Sequence, residues 1–114
     1  MERQRTGRDA EDAAVRFLEC RGLTVLLRNY RRRLGELDIV AREGDILVIV
    51  EVRTRSSQQF GGAAASVDLR KQARIRRAAA LLLLHRRDFA ALRVRFDVIA
   101  VNRGGLEWIK HAFT

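Results

Sequence analysis

The sequence predicts a mixed α/β fold in which a central β-sheet is flanked by helices. Apolar residues recur at helical spacing in two segments, and alternating or β-branched runs form short strands between and after those segments. No linker, repeat or low-complexity stretch interrupts residues 1–114, so we expect a single domain. The predicted order of elements is α-β-β-β-α-β-β.

The N-terminal half is predicted to contain one helix and three strands. Apolar residues recur at helical spacing within residues 7–21, and Gly22 is a natural C-terminal stop for that helix. The short apolar run Leu23–Leu27 predicts the first strand, and the alternating pattern of Glu36–Arg42 predicts the second. The run ILVIVEVRT, Ile46–Thr54, predicts a third strand that is buried on both faces near its start.

The C-terminal half is predicted to contain one helix and two strands. A polar, glycine-containing loop over Arg55–Ser66 leads into a helix over Asp68–Leu84. The run VRFDVIAVN, Val94–Asn102, predicts a strand. A glycine pair then predicts a turn into a last short strand, Leu106–Ile109.

The charge balance indicates an acidic partner. Lysine and arginine together number 23 against 14 acidic residues, which gives a net charge of +9. Only Lys71 and Lys110 are lysines, so the positive charge is almost entirely guanidinium, which holds phosphate groups bidentately. The codon usage of a GC-rich genome is an alternative explanation for arginine over lysine, but it does not explain the excess of basic residues. We therefore expect a nucleic acid as the partner, with DNA favoured.

Several classes of protein are excluded at this stage. The longest apolar run, Ala78–Leu84, is far shorter than the roughly 20 residues that a membrane span requires. The first residues, MERQR, are charged and contain no apolar signal-peptide core. Cys20 is the single cysteine, which excludes an intramolecular disulfide framework. We expect a cytoplasmic protein with no membrane association.

The turn between the second and third strands predicts a cluster of charged residues. If Gly44 and Asp45 form a two-residue hairpin loop, Asp38 lies opposite Glu51 and Glu36 lies opposite Arg53. Side-chain alternation then places these four charged residues on one face of the sheet. The apolar residues between them form the other face, which is core: Leu37, Ile39, Val48, Val50 and Val52.

Two carboxylates placed directly opposite each other require a positive charge between them, because like charges in this position are unfavourable. Arg53 can supply this charge, in which case the cluster is an arginine-bridged end of the sheet. A divalent metal ion held by Asp38 and Glu51 is the other solution, since Mg²⁺ is commonly bound by one or two carboxylates together with water. The spacing alone leaves both possibilities open.

The residues that carry a family resemblance extend over most of the chain. They are Gly7, Glu11, Gly35–Asp38, Val50–Arg55, Lys71, Arg74, Ile75 and Arg95–Val98, followed by the aromatic tail that begins at Trp108. This combination resembles the YraN-like family of small bacterial proteins. That family is placed in the PD-(D/E)XK nuclease-like superfamily, together with archaeal Holliday-junction resolvases. The resemblance implies a restriction-endonuclease-like fold.

The resemblance also implies a catalytic site. Asp38 and Glu51 correspond to direct ligands of a divalent metal ion, Mg²⁺ or Mn²⁺, and Glu11 corresponds to a helix residue beside it. The implied reaction is metal-assisted hydrolysis of a phosphodiester. Arg53 departs from the pattern, because most members have a lysine there that orients or activates water. Arginine cannot act as a general base near neutral pH, although it can stabilise negative charge on phosphate.

Two hypotheses about function follow. The first is a metal-dependent endonuclease, and the second is a non-catalytic module that binds nucleic acid or protein and retains the fold. In either case Arg31, Arg32 and Arg33, together with Lys71 and Arg74, are candidate phosphate contacts, with a solvated charged face as the alternative. A homodimer is a further hypothesis, since related junction-binding enzymes are two-fold symmetric.

Overall fold

A five-stranded sheet in the order β1-β2-β3-β4-β5 forms the centre of the computed structural model. The structure describes residues 2–55 and 62–114, and the side chains from residue 7 onward within these ranges. The strands are β1 Thr24–Arg32, β2 Gly35–Glu43, β3 Ile46–Thr54, β4 Arg93–Asn102 and β5 Gly105–Phe113. The helices are α1 Glu2–Cys20, α2 Leu69–His85 and the short α3 Arg87–Ala90.

The topology confirms the predicted fold class and the predicted order of the main elements. Adjacent strands run antiparallel except β3 and β4, which are parallel and are connected through α2 and α3. Asp68 caps α2 by accepting a hydrogen bond from the backbone N–H of Lys71 at 2.8 Å. α3 was not predicted; its four residues bury one large apolar side chain, Phe89.

Two strands are longer than the sequence pattern predicted. β1 continues through the basic stretch to Arg32, because that stretch pairs with β2 along the edge of the sheet and leaves its charged side chains exposed. β5 continues beyond Ile109 to Phe113, whose ring stacks on Phe96 with the centroids 5.1 Å apart. In both cases strand pairing extends the element past its recognisable apolar alternation.

Each face of the sheet is covered by one long helix. On one face, Ala14 and Leu18 of α1 pack against Ile39, Val48 and Val50. On the other face lies the α2-side core, which contains Leu37, Val40, Leu47, Ile49, Ile75, Ala78 and Leu82. Burial of these apolar side chains is the main source of stability for the arrangement.

The predicted hairpin register between β2 and β3 is confirmed up to the middle of the strands. Glu43 pairs with Ile46 across the Gly44-Asp45 turn, and the pairing continues to Ile39 opposite Val50. Gly44 has a φ of 59°, a conformation that glycine adopts without strain. From there β2 continues along β1 as far as Gly35, while β3 continues along β4 as far as Thr54. The two strands therefore form a fork at the level of Asp38 and Glu51.

The prediction that the four charged residues share one face is wrong. Side-chain alternation is interrupted near Asn29, which has a φ of 55°. Two cross-strand pairs lie on either side of this position, Leu27 with Val40 and Tyr30 with Leu37. All four side chains contact the same α2-side core. Ile39 lies between Leu37 and Val40 on β2, but it contacts the core on the α1 side of the sheet. The local twist of β1 and β2 thus turns the end of β2 relative to β3.

The tip of the β1–β2 hairpin is supported by α2 through a close backbone contact. A Cβ atom added at Gly35 would lie 2.2 Å from the carbonyl oxygen of Arg74 and 3.4 Å from the Cβ of Ala78. Glycine at this position is required because backbone atoms cannot move aside as a flexible side chain can. This contact therefore fixes the position of the hairpin tip relative to α2.

We predict that Gly35→Ala destabilises the protein by about 1–3 kcal/mol, because the added methyl group forces the hairpin away from α2. Urea unfolding followed by circular dichroism measures the change. Gly7→Ala is the matched control, since no atom lies within 4 Å of a Cβ placed there and alanine favours the helix. An unchanged free energy of unfolding in Gly35→Ala would contradict the assigned contact.

Candidate active site

A carboxylate lies in the fork between β2 and β3 and forms a hydrogen bond to the β3 backbone. The Oδ2 atom of Asp38 accepts a hydrogen bond from the backbone N–H of Val52 at 2.9 Å. This side chain therefore occupies the position of a strand partner for β3. It satisfies a backbone donor that would otherwise lose its partner where the two strands separate.

Glu51 lies beside Asp38 and is only 4% exposed. Its Oε2 atom is 3.4 Å from the Nζ of Lys71 and 3.6 Å from the Nη1 of Arg53. The Arg53 guanidinium also donates a hydrogen bond to the carbonyl oxygen of Ser66 at 3.2 Å. The buried carboxylate thus has two cations on its α2 side and a second acid, Asp38, at the fork.

Burial raises the pKa of the Glu51 carboxyl to about 8, and the negative charge of Asp38 acts in the same direction. Lys71 and Arg53 lower the pKa of Glu51, but their effect is smaller than that of burial. A hydrogen bond between the two acids contributes to the raised value. Near neutral pH the pair therefore retains a proton, and a divalent cation is an alternative way to neutralise it.

A cleft of about 640 Å³ opens along α1 next to the fork. Its lining includes Arg8, Glu11, Arg28, Arg31, Glu36, Asp38, Val52 and Thr54. Asp38 therefore faces a space large enough for a nucleotide-sized group, with three arginines and three further acids around it. Glu51 does not contribute to this lining; it is buried on the α2 side, where it contacts Lys71.

Glu11 shares this cleft with Asp38, but its carboxylate is already engaged. Its Oε1 atom accepts hydrogen bonds from the Nε of Arg28 and the Nδ2 of Asn29, both at 3.0 Å. Arg28 also donates to Asp12, and this hydrogen bond is the main reason that the pKa of Arg28 is raised. Glu11 thus anchors the twisted end of β1 to α1 at the rim of the cleft.

The predicted phosphate-contacting residues occupy different positions around the site. Arg31 lines the cleft with its Nε 3.5 Å from Glu36, and Arg32 lies over the ring of Tyr30 at 4.2 Å from its centroid. Arg33 and Arg74 are exposed. Lys71 differs, because its amine contacts the buried carboxylate of Glu51. Lys71 was predicted as a phosphate contact, and its ion pair with Glu51 did not follow from the sequence spacing.

The pair Asp38 and Glu51 fits a metal ion that keeps most of its water. Within residues 2–55 and 62–114, no group of three or more His, Cys, Asp or Glu residues is placed to hold a metal. Mg²⁺ needs fewer protein ligands, since it is bound through one or two carboxylates plus water and phosphate oxygens. The pKa of Glu51 is raised mainly by burial and secondly by the negative charge of Asp38, and a cation bound between solvent and these carboxylates would favour their ionised forms.

The fold and site define a mixed α/β protein with a pair of carboxylates at a strand fork, beside a cleft lined by arginines and acids. The chain belongs to the Uncharacterised protein family UPF0102, whose model matches residues 10–101. This confirms the sequence-based resemblance, since the YraN-like family is UPF0102. In the described residues, no helix combines the length and apolar character needed to cross a bilayer.

Relatives from several bacteria match nearly the whole chain. A UPF0102 protein of Dechloromonas aromatica is 50% identical over 95% of this chain and 88% of its own length. One from Pseudomonas savastanoi is 47% identical over 97% of this chain and 94% of its own length. A longer one from Bordetella parapertussis is 50% identical over 96% of this chain, which spans 64% of that relative's length.

We predict that Glu51→Gln stabilises the metal-free protein at pH 9 and not at pH 5. The pKa of Glu51 is higher in the folded state than in the unfolded state, so its contribution to stability is full below about pH 4.5 and is lost as the pH rises through about 8. Glutamine carries no charge to bury at either pH. The expected gain in the free energy of unfolding at pH 9 is about 2–4 kcal/mol.

Urea unfolding in EDTA at both pH values measures this difference. Glu36→Gln is the control, because Glu36 is 42% exposed and its removal is expected to change stability by less than about 0.5 kcal/mol. An equal effect of Glu51→Gln at pH 5 and pH 9 would show that Glu51 ionises normally in the folded protein.

Proposed function

We propose that this protein binds nucleic acid and hydrolyses phosphodiester bonds in DNA with the help of a divalent cation. The observation that carries the proposal is the pairing of Asp38 with buried Glu51 at the β2–β3 fork, next to Lys71 and Arg53. The resemblance to PD-(D/E)XK nucleases and the net charge of +9 support the same substrate class.

In this proposal Asp38 and Glu51 are the residues that would hold Mg²⁺ or Mn²⁺. When bound, such an ion polarises a phosphoryl oxygen and lowers the pKa of coordinated water. Asp38 contributes an acceptor fixed by the N–H of Val52, and Glu51 contributes the second carboxylate from inside the sheet. Arg31 and Arg8, which line the cleft, orient the phosphate backbone toward this pair.

Lys71 and Arg53 have different chemical roles in this proposal. Both lie within 3.6 Å of Glu51, but only an amine can exchange a proton under ordinary conditions. Arg53 stabilises the negative charge that develops on the phosphate. Lys71 approaches from α2 and supplies the amine that the β3 position lacks, where it orients water and takes part in proton transfer.

The first test is a cleavage assay on linear duplex, single-stranded and four-way-junction DNA with Mg²⁺ or Mn²⁺. Wild-type protein is expected to generate products, whereas Asp38→Asn and Glu51→Gln reduce the rate at least about 100-fold because they remove carboxylate ligands. Asp88→Asn is the control for loss of one acidic charge, since Asp88 pairs with Arg86 on the exposed surface of α3. Equal rates in wild type and Glu51→Gln would exclude this site.

The second test separates the two cations. Lys71→Arg keeps the positive charge but removes the exchangeable amine, so we expect the cleavage rate to fall about 100-fold with little change in DNA affinity. Arg53→Lys places an amine on β3 and is expected to retain most of the activity. Activity that survives Lys71→Arg but is lost in Arg53→Lys would assign the chemical role to Arg53.

A non-catalytic nucleic-acid-binding module is the second candidate function. It is favoured by two observations: arginine occupies position 53, and Glu11 is already engaged by Arg28 and Asn29. The two candidates share one property, a steep loss of affinity with salt, with a slope of about −0.9 per neutralised phosphate on duplex DNA. Salt-dependent binding without products in folded wild-type protein would favour the module, and salt-independent binding would contradict both.

A further inference from the structure

Three large apolar side chains are strongly exposed in the described residues: Leu34 at 58%, Leu69 at 78% and Leu84 at 74%. A single exposed leucine is ordinary on a protein surface. Leu34 is different because of its position, in the turn that joins β1 to β2. It is the apolar tip of a hairpin whose preceding residues are Arg31, Arg32 and Arg33.

Several contacts fix the conformation of the hairpin tip. Arg32 pairs with Gly35 at the end of the β1–β2 ladder, and its guanidinium is fixed over Tyr30 at 4.2 Å from the ring centroid. The same guanidinium donates to the carbonyl oxygen of Arg31 at 2.8 Å. The backbone of Gly35 packs against the backbone carbonyl of Arg74 in α2, and this contact fixes the position of the hairpin tip relative to α2.

The tip also lies at a defined distance from the carboxylate pair. Leu34 and Asp38 are four positions apart along the chain at the start of β2, which corresponds to about 13 Å at the rise of an extended strand. Successive phosphates of one DNA strand are about 3.4 Å apart along the helix axis. Because an extended chain is the longest path between these residues, the tip lies at most about four nucleotides from a phosphate placed at Asp38.

We propose that Leu34 inserts between bases of the bound nucleic acid, so that the protein prefers DNA whose bases are unpaired or poorly stacked within about four nucleotides of the site of attack. Apolar wedges flanked by arginines are used in this way by proteins that unstack and kink DNA. The arginines hold the backbone on either side while the leucine replaces a stacking contact. This inference rests on the proposed function, whose substrate it specifies.

The experiment uses 2-aminopurine placed in a three-nucleotide bulge of a DNA duplex, with a fully paired duplex of the same sequence for comparison. Binding is followed in EDTA so that no cleavage occurs. Wild-type protein is expected to raise the 2-aminopurine fluorescence and to bind the bulged DNA more tightly than the paired DNA. Leu34→Ala should abolish the fluorescence rise and reduce that preference about tenfold, since most of the apolar contact is lost.

Two further variants control the result. Leu84→Ala removes an equally exposed leucine from the far end of α2 and is expected to behave as wild type. Leu34→Phe keeps a large apolar group and should retain the fluorescence rise. With Mg²⁺ or Mn²⁺ present, wild-type cleavage is expected within about four nucleotides of the bulge.

Each outcome separates this inference from the function on which it rests. Tight binding in which Leu34→Ala gives the same fluorescence and the same preference as wild type overturns the wedge but leaves nucleic-acid binding intact. Tight binding of wild type without any fluorescence rise also overturns it. Absence of salt-dependent binding by wild type to either DNA overturns the proposed function itself.

Discussion

The structure depends on the place where β2 leaves β3. After Ile39 and Val50, each of these strands continues with a different neighbour, and the fork exposes backbone groups that a regular sheet would pair. The Asp38 carboxylate accepts a hydrogen bond from the backbone N–H of Val52 at this fork. The carboxylate that lines the cleft therefore also completes the hydrogen bonding of β3. Its geometry is consequently fixed by the sheet, and a ligand that approaches from the cleft meets an acceptor that is already oriented.

Charge balance at the fork explains why the cations lie where they do. Glu51 is buried beside a second acid, which is unfavourable unless positive charge is close. Lys71 and Arg53 supply this charge on the α2 side, and yet the pKa of Glu51 remains raised. The raised value thus reflects the burial of Glu51 more than the charges around it, and Asp38 lines a cleft that contains both arginines and acids.

Much of this arrangement was predictable from the sequence, because it follows local rules. The Gly44-Asp45 turn sets the register that brings Asp38 near Glu51, and apolar periodicity identifies both long helices and all five strands. The rotation of side chains near Asn29 was not predictable, because a positive φ in a strand leaves no mark in hydrophobic alternation. For the same reason the single-face prediction failed. The extended ends of β1 and β5 arise from pairing with neighbours, which a sequence pattern does not display.

The position of Lys71 follows from topology more than from sequence spacing. In a strand–helix–strand connection the helix begins at the end of the sheet where the first strand finishes, so the first turn of α2 lies near the end of β3 that carries Glu51. Lys71 is in that turn, three residues after the capping Asp68, and its amine lies 3.4 Å from Glu51. The amine of Lys71 thus lies beside Glu51 although it comes from α2 and not from β3. Lys71 therefore places an amine beside Glu51 from α2, whereas position 53 of β3 places a guanidinium there.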